Sequence, residues 1–294
     1  MKKNVLLTGA TGFLGSNIIK ILSKENFNII ILKRSFSKTH RIDDIADRIK
    51  SYNADQIKLE DIFVENKIDI IVHCATVYGQ RDIEPLSLIE ANLTLPLQLL
   101  ELGKKNRVSC FINTDTILDK RVSYYSLSKN QFREWLELYA NEMICLNVAL
   151  EHFYGPYDDN TKFVSYIIDS ILNNAEKIDL TAGKQKRDFI YIDDVVSAFI
   201  AIIKNMDKFK KGFLRYEIGT GNAVEIQKFV RLVKDIAKNN RTVLNFGAIP
   251  YRENETMKSR ADITEICKLN WKPEYTLEEG LLRTINIERA RIKK

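Results

Sequence analysis

The chain has 294 residues, 45% hydrophobic and 29% charged, the balance of a globular protein with one substantial core and room for a smaller lobe, which excludes disordered and collagen-like classes. No run approaches the roughly 20 apolar residues of a membrane helix, and Met1-Lys2-Lys3 leads straight into an apolar strand without a signal-peptide pattern, so a cytoplasmic protein with no membrane contact is expected. The net charge of +6 is dispersed, with no basic helix or aromatic-interleaved patch, so nucleic acid is not an expected partner, whereas phosphate-bearing ligands suit a positive balance.

In chain order, Val5–Thr8 is a short apolar run, followed by a glycine-rich turn and then Ile18, Ile19, Ile21 and Leu22 at helical spacing: strand, turn, helix. Further strands are predicted at Asn28–Lys33, Ile68–Ala75, Val108–Asn113 and Glu142–Leu150, with helical segments between. Leu86–Lys105 has a helical period that contains Pro96, which predicts a kink or break near Leu95. Tyr125–Asn141 is a cleaner helix, with Phe132, Trp135, Leu136 and Tyr139 along one side. Strands alternating with helices pair in parallel through right-handed crossovers, so the expected fold is α/β, a Rossmann-type doubly wound parallel sheet with a smaller C-terminal substrate-binding lobe. Residues 1–155 are expected to form the dinucleotide-binding domain, with later segments returning to it, and residues 156–294 mainly the lobe. Cys74, Cys110, Cys145 and Cys267 lie in or beside apolar runs without paired metal-ligand spacing, and are expected to be buried free thiols rather than metal ligands.

Gly9-Ala10-Thr11-Gly12-Phe13-Leu14-Gly15 spaces three glycines between the first strand and the first helix. Such a turn lets backbone approach a pyrophosphate while the helix N-terminus offers unpaired N–H groups and partial positive charge. A tight turn without a ligand would carry the same glycines, but the preceding strand and following amphipathic helix supply the context of a dinucleotide site. The end of the second strand lacks the acid that binds the ribose of NAD; Lys33 and Arg34 stand there instead. A guanidinium at that point favours the 2′-phosphate of NADP(H), leaving NAD(H) possible; the alternative is a pair of solvated loop charges.

Tyr125 and Lys129 are four residues apart, hence on one helix face one turn apart. A nearby ammonium stabilises a phenolate and tunes the phenol for proton exchange with an alcohol or ketone oxygen. Upstream, Thr114-Asp115-Thr116 follows a central strand, where ligands bind in this architecture, and Thr114 is a candidate to hold a substrate carbonyl against Tyr125; the alternative is an ordinary strand-end cap.

With the glycine turn, strand-end threonine and Tyr-x-x-x-Lys in this order, the sequence resembles the extended short-chain dehydrogenase/reductase family. Ile71-Val72-His73-Cys74-Ala75 is similar to the family's strand beside the cofactor, and Asn92 to an asparagine in the helix that follows. Tyr154-Gly155-Pro156, Arg187-Asp188-Phe189-Ile190-Tyr191-Ile192-Asp193-Asp194-Val195, Tyr216–Gly221 and Trp271-Lys272-Pro273 extend the resemblance almost to the C-terminus. The resemblance implies catalysis by Thr114, Tyr125 and Lys129. It implies a cofactor site of Gly9, Thr11, Gly12, Phe13, Leu14, Gly15, Lys33, Arg34, Cys74, Ala75, Thr76 and Asn92, with Tyr125 and Lys129. It also implies a homodimer built through a four-helix bundle of Leu86–Lys105 and Tyr125–Asn141.

Dehydratases of the family carry Thr-Asp-Glu at the strand end; Thr116 in the third place removes the base for water elimination. The strings Asn113–Thr116, Glu151–Pro156, Lys162–Asp169 and Phe246–Ile249 with Arg252–Glu255 resemble the CDP-abequose synthase group. That implies an NAD(P)H-dependent reductase of the C4 ketone of a CDP- or dTDP-linked 4-keto-deoxyhexose, in surface-polysaccharide sugar biosynthesis. Its substrate site would include Thr114, Thr116, Lys162, Phe163, Arg187, Arg252 and Glu255. Arg187 and Arg252 are read as diphosphate ligands, or alternatively as surface partners of Asp188 or Glu255. An epimerase with tightly bound NAD and a non-catalytic NADP-binding regulator stay open; the stretch between Thr114 and Tyr125 is short for an epimerase.

Overall fold

The computed structural model describes residues 2–78 and 84–293. It divides into two compact units, Met1–Ala149 with Val196–Tyr216, and Leu150–Val195 with Glu217–Lys294. The first begins β1 (Lys3–Thr8), α1 (Phe13–Leu22), β2 (Phe27–Lys33), β3 (Ile49–Asn53), α2 (Leu59–Glu65), β4 (Ile70–His73), α3 (Pro85–Ile89), α4 (Leu95–Lys105), β5 (Cys110–Thr116), α5 (Tyr124–Leu138) and β6 (Ile144–Leu150). Strands β1 and β4 are apolar runs because both faces are covered: Val5, Leu6, Leu7, Ile70, Ile71 and Val72 are all fully buried. The sheet order β6-β5-β4-β1-β2-β3 is that of a doubly wound fold, and the pairings β1–β2, β1–β4, β2–β3 and β4–β5 are parallel.

Between α3 and α4 the helix widens into one π-helical turn, Glu90–Thr94, and Pro96 opens α4, so the irregularity expected near Leu95 takes the form of a widened turn in a continuous helix rather than a break. Phe111 on β5 and Phe132 on α5 meet at 5.8 Å between ring centroids and are both fully buried, packing α5 onto the sheet. Truncating Phe132 to alanine is worth roughly 3–5 kcal/mol of stability in such a core.

The chain continues through β7 (His152–Tyr154), α6 (Phe163–Leu172), β8 (Lys177–Leu180) and β9 (Lys186–Tyr191), then α7 (Ile192–Lys204) and β10 (Gly212–Ile218), the seventh strand of the large sheet, beside β6. It ends with β11 (Ala223–Glu225), α8 (Ile226–Ile236), β12 (Val243–Phe246), α9 (Thr264–Cys267) and α10 (Leu277–Ile292). Small sheets β11-β9-β7 and β12-β8 belong to the second unit. Cys110 and Cys145 are buried free thiols as expected, but Cys74 is only partly buried and Cys267 is exposed. Ile266 takes the buried position on the single turn of α9, which leaves its neighbour Cys267 facing water. Among the described residues no helix is long and apolar enough to cross a membrane.

Candidate active site

The carboxyl ends of β1 and β4 are stitched together: the Ala75 N–H donates to Thr8 Oγ1 at 3.2 Å, and Thr8 Oγ1 is 2.8 Å from His73 Nδ1. Gly9 follows β1 with φ of 70°, and a Cβ there would lie 2.5 Å from the Ala75 nitrogen, so only glycine admits this turn. A Cβ on Gly15 would lie 2.2 Å from the Gly9 carbonyl oxygen, so the first turn of α1 packs directly on the loop backbone. Gly12 caps α1 without a side-chain hydrogen bond, and the first turn has no acidic residue. Phe13 and Leu14 are buried, so what this turn offers a ligand is backbone N–H and the positive end of the helix. Cys74, Ala75 and Thr76 run past this point partly exposed.

At the end of β2, Lys33 donates to Asn53 Oδ1 at 2.6 Å and is not a free loop charge. Arg34 is exposed, with its guanidinium 4.7 Å from the centroid of Phe36. An acid does reach this region, from beyond β3: Asp55 accepts from the Ser35 N–H at 2.7 Å and from its hydroxyl at 2.5 Å.

Helix α5 starts where a capping box sets it: Ser126 N–H donates to Ser123 Oγ at 3.1 Å and Ser123 N–H to Ser126 Oγ at 3.0 Å. Tyr125 therefore lies in the first turn and Lys129 one turn on. Strand β5 continues through Thr116, beyond the expected end at Asn113, so Thr114, Asp115 and Thr116 all belong to it and all three are buried. The Thr114 hydroxyl donates to the His73 carbonyl at 2.9 Å, while Thr116 is the hydroxyl bonded to Tyr125. Burial, reinforced by Tyr78 and Asp115, pushes the Tyr125 phenol well above its ordinary value against the Thr116 hydrogen bond. The phenol is thus protonated at neutral pH, where the neighbouring lysine alone suggested an eased phenolate.

Lys129 is 1% exposed, and its Nζ has no hydrogen-bond partner among the described residues. Burial brings its pKa down to about 8, opposed by Asp115 and Cys74. Burial and Lys129 together hold His73 well below its usual value, so that imidazole is neutral. A buried ammonium with no partner among the described residues, beside a glycine cradle and a helix N-terminus, is what a dinucleotide's ribose hydroxyls and pyrophosphate would satisfy. Asn92, expected among the cofactor ligands, is fully buried and bonds protein instead: Val77 N–H donates to its Oδ1 at 2.9 Å, and its Nδ2 donates to the Val77 carbonyl at 2.8 Å and Ser128 Oγ at 3.0 Å. It ties the loop after β4 to α5. That loop carries Tyr78, half exposed, with its ring centroid 5.1 Å from that of Tyr125, a contact that no spacing in the sequence announced.

In the second unit, Arg187 is buried and donates to the Lys186 carbonyl at 2.9 Å, to the Thr256 carbonyl at 2.5 Å and to the Glu255 carboxylate. Its partner is Glu255, not Asp188, whose oxygens accept from Thr220, Gly221 and Ala261. Arg252 is exposed. Lys162 pairs with Asp158 at 3.0 Å over the Phe153 ring, and Phe163 lies 6.0 Å from Phe229.

A model of the NAD dependent epimerase/dehydratase family matches residues 5–219. The chain belongs to that family. It is 33% identical over 297 residues to the CDP-abequose synthase of Salmonella muenchen, covering 98% of this chain and 99% of that protein. It is 27% identical to the UDP-glucuronate 4-epimerase of Thermodesulfobacterium geofontis, covering 98% and 97%. Its fold is that of the UDP-glucose 4-epimerase of Thermotoga maritima, solved with UDP-glucose, at a TM-score of 0.85 and 24% identity over 98% of this chain and 99% of that one.

Proposed function

We propose that the chain reduces the C4 ketone of a CDP- or dTDP-linked 4-keto-deoxyhexose with NAD(P)H, NADPH preferred, in the cytoplasmic synthesis of a surface-polysaccharide sugar. The observation that carries this reading is Tyr125, a buried phenol bonded to the Thr116 hydroxyl, while the strand-end carboxylate of Asp115 is already engaged by Arg133, Asn147 and the Thr116 N–H. Elimination needs an acid and a base at the strand end; ketone reduction needs one proton donor. Near full-length similarity to the Salmonella CDP-abequose synthase supports the same choice.

When bound, the reduced nicotinamide supplies the hydride to C4. Tyr125 gives its proton to the developing alkoxide, Thr116 and Thr114 line the carbonyl, and Lys129 takes hydroxyls of the nicotinamide ribose as acceptors for its ammonium. The backbone of residues 9–15 holds the pyrophosphate and Arg34 the 2′-phosphate, with Cys74, Ala75 and Thr76 bordering the nicotinamide half. In the second unit, Arg187 and Arg252 are assigned to the substrate diphosphate, Glu255 to orienting Arg187, and Lys162 and Phe163 to the sugar or base. The enzyme is proposed to act as a homodimer through a four-helix bundle of Leu86–Lys105 and Tyr125–Asn141, where Leu86 and Ile89 on α3 and Leu127, Trp135 and Leu138 on α5 are exposed.

The test follows NADPH absorbance with a CDP- or dTDP-linked 4-keto-6-deoxy sugar made in place by a dehydratase, comparing the parent enzyme with Tyr125→Phe. Turnover that falls on the order of 10²–10⁴-fold in the variant, with NADPH still bound, supports the reductase. A changed sugar without net NADPH consumption overturns it in favour of an epimerase.

A further inference from the structure

Asp115 is the least expected feature of the site, a carboxylate whose side chain is fully buried at the end of a central strand. Its Oδ2 lies 3.1 Å from Arg133 Nη1 and accepts from Asn147 Nδ2 at 2.8 Å, while its Oδ1 accepts from the Thr116 N–H at 2.7 Å. Asn147 on β6 in turn accepts from Asn113 Nδ2 at 2.8 Å, and Arg133 also donates to Asn130. Arg133 stands four residues after Lys129 on α5, and Asp115 lies between Thr114 and Thr116 on β5, so one ion pair joins the two elements that carry the reacting groups.

We infer that Asp115 and Arg133 form a positioning pair that locks helix α5 to the end of strand β5 and fixes the charge felt by Tyr125 and Lys129. A residue serving only as packing would be apolar here, since a buried ion pair is seldom more stable than a hydrophobic replacement. This carboxylate instead is fully buried, with its oxygens taken up by Arg133, Asn147 and the Thr116 N–H, and acts through Tyr125 and Lys129 rather than on substrate. Among the described residues the groups facing Lys129 are Asp115 from β5, His73 from β4 and Cys74 from the loop after it; Asp115 and Cys74 favour its charged form, while burial opposes it. Tyr125 faces Asp115, Thr116 and Tyr78. The inference rests on the proposed function only for its catalytic consequence, because its test needs no substrate.

The experiment is a pH titration by NMR of the full chain carrying carbon-13 at the lysine ε-carbon, with the Lys129 signal assigned by Lys129→Met. In Asp115→Asn the Lys129 midpoint should fall by at least half a pH unit, and in Arg133→Gln, which leaves the carboxylate uncompensated, it should rise. General loosening would admit water and raise the midpoint in both variants, so a fall in Asp115→Asn is a direction that structural damage does not produce. An unchanged or raised midpoint in that variant overturns the inference. Should Asp115→Asn fail to fold, Arg133→Gln is compared with Arg133→Lys, which keeps the charge: a rise confined to the glutamine variant supports the pair, and equal shifts overturn it. A chain that fails to reduce any 4-keto sugar yet shows the fall retains the pair and loses only the reductase.

Discussion

Lys129 in the first unit and Arg187 in the second are both buried cations, 1% and 8% exposed, yet their surroundings differ completely. Arg187 donates to two carbonyls and a carboxylate, and Asp188 beside it accepts four hydrogen bonds from Thr220, Gly221 and Ala261. The Lys129 ammonium meets no acceptor among the described residues. A buried charge with every partner present belongs to the architecture, because the fold has already satisfied it. One without a partner destabilises the chain, and such a cost is tolerated where a ligand is to complete the set. On the proposed function β5 and α5 carry the chemistry, and Arg187 holds its own loop before it meets any diphosphate.

The largest effect that could break this contrast is on the paired cation. Arg187→Met should strand Glu255 and lose about 3–5 kcal/mol of stability in a denaturant titration; a loss below roughly 1 kcal/mol would put Arg187 in the exposed, loosely paired class. Lys129→Met should do the reverse, raising stability by about 1–3 kcal/mol in the absence of ligand while abolishing turnover. The parent chain carries the same information in its pH dependence. Lys129 loses its proton near 8 when folded and near its ordinary 10.5 when unfolded, so across that window the unfolded chain binds more protons and stability rises with pH. The rise amounts to about 3 kcal/mol, is complete above the unfolded value, and should be missing from Lys129→Met. Thermal unfolding of both chains at stepped pH reads it directly.

Most of the first unit was legible because its strands are apolar runs and its glycines have one steric meaning. The exceptions are β10, an edge strand supplied from late in the chain, and β3, Ile-Lys-Ser-Tyr-Asn, an edge strand with exposed Lys50 and Ser51 that has no period-two signal to read. At the site, Tyr125 and Lys129 were visible from their spacing, but the division between Thr114 and Thr116 was not. It depends on how far β5 runs, and the end of a strand is set by tertiary pairing rather than by local residue type. Asn92's bonding and Tyr78 escaped for a similar reason: the π-helical turn that carries Asn92 to Val77 has no sequence mark, and Tyr78 follows the clamped Val77 to reach Tyr125. Asp55 meets Ser35 from 20 residues away, so the acid apparently missing from the end of β2 was in the chain but not in the motif.

Arg34 supplies the third and gentlest case, a cation lying over the Phe36 ring in water, where staying unpaired has little cost. Substitution should leave the unliganded chain's stability unchanged, in contrast to both buried cations, and show itself only when a phosphate arrives. Arg34→Ser is expected to weaken NADPH binding by about tenfold and leave NADH binding as it was, since the two differ only in the 2′-phosphate and a guanidinium matches phosphate geometry. Asp55→Asn is the counter-experiment: its carboxylate holds the Ser35 N–H and hydroxyl beside that position and repels a phosphate there, so removing its charge should tighten NADPH by a smaller factor. Fluorescence titration of both nucleotides against the three chains separates the terms. Equal weakening of NADPH and NADH by Arg34→Ser would mean that Arg34 stacks on the adenine ring rather than reading the phosphate, and the cofactor preference would then fall to Asp55 and NAD.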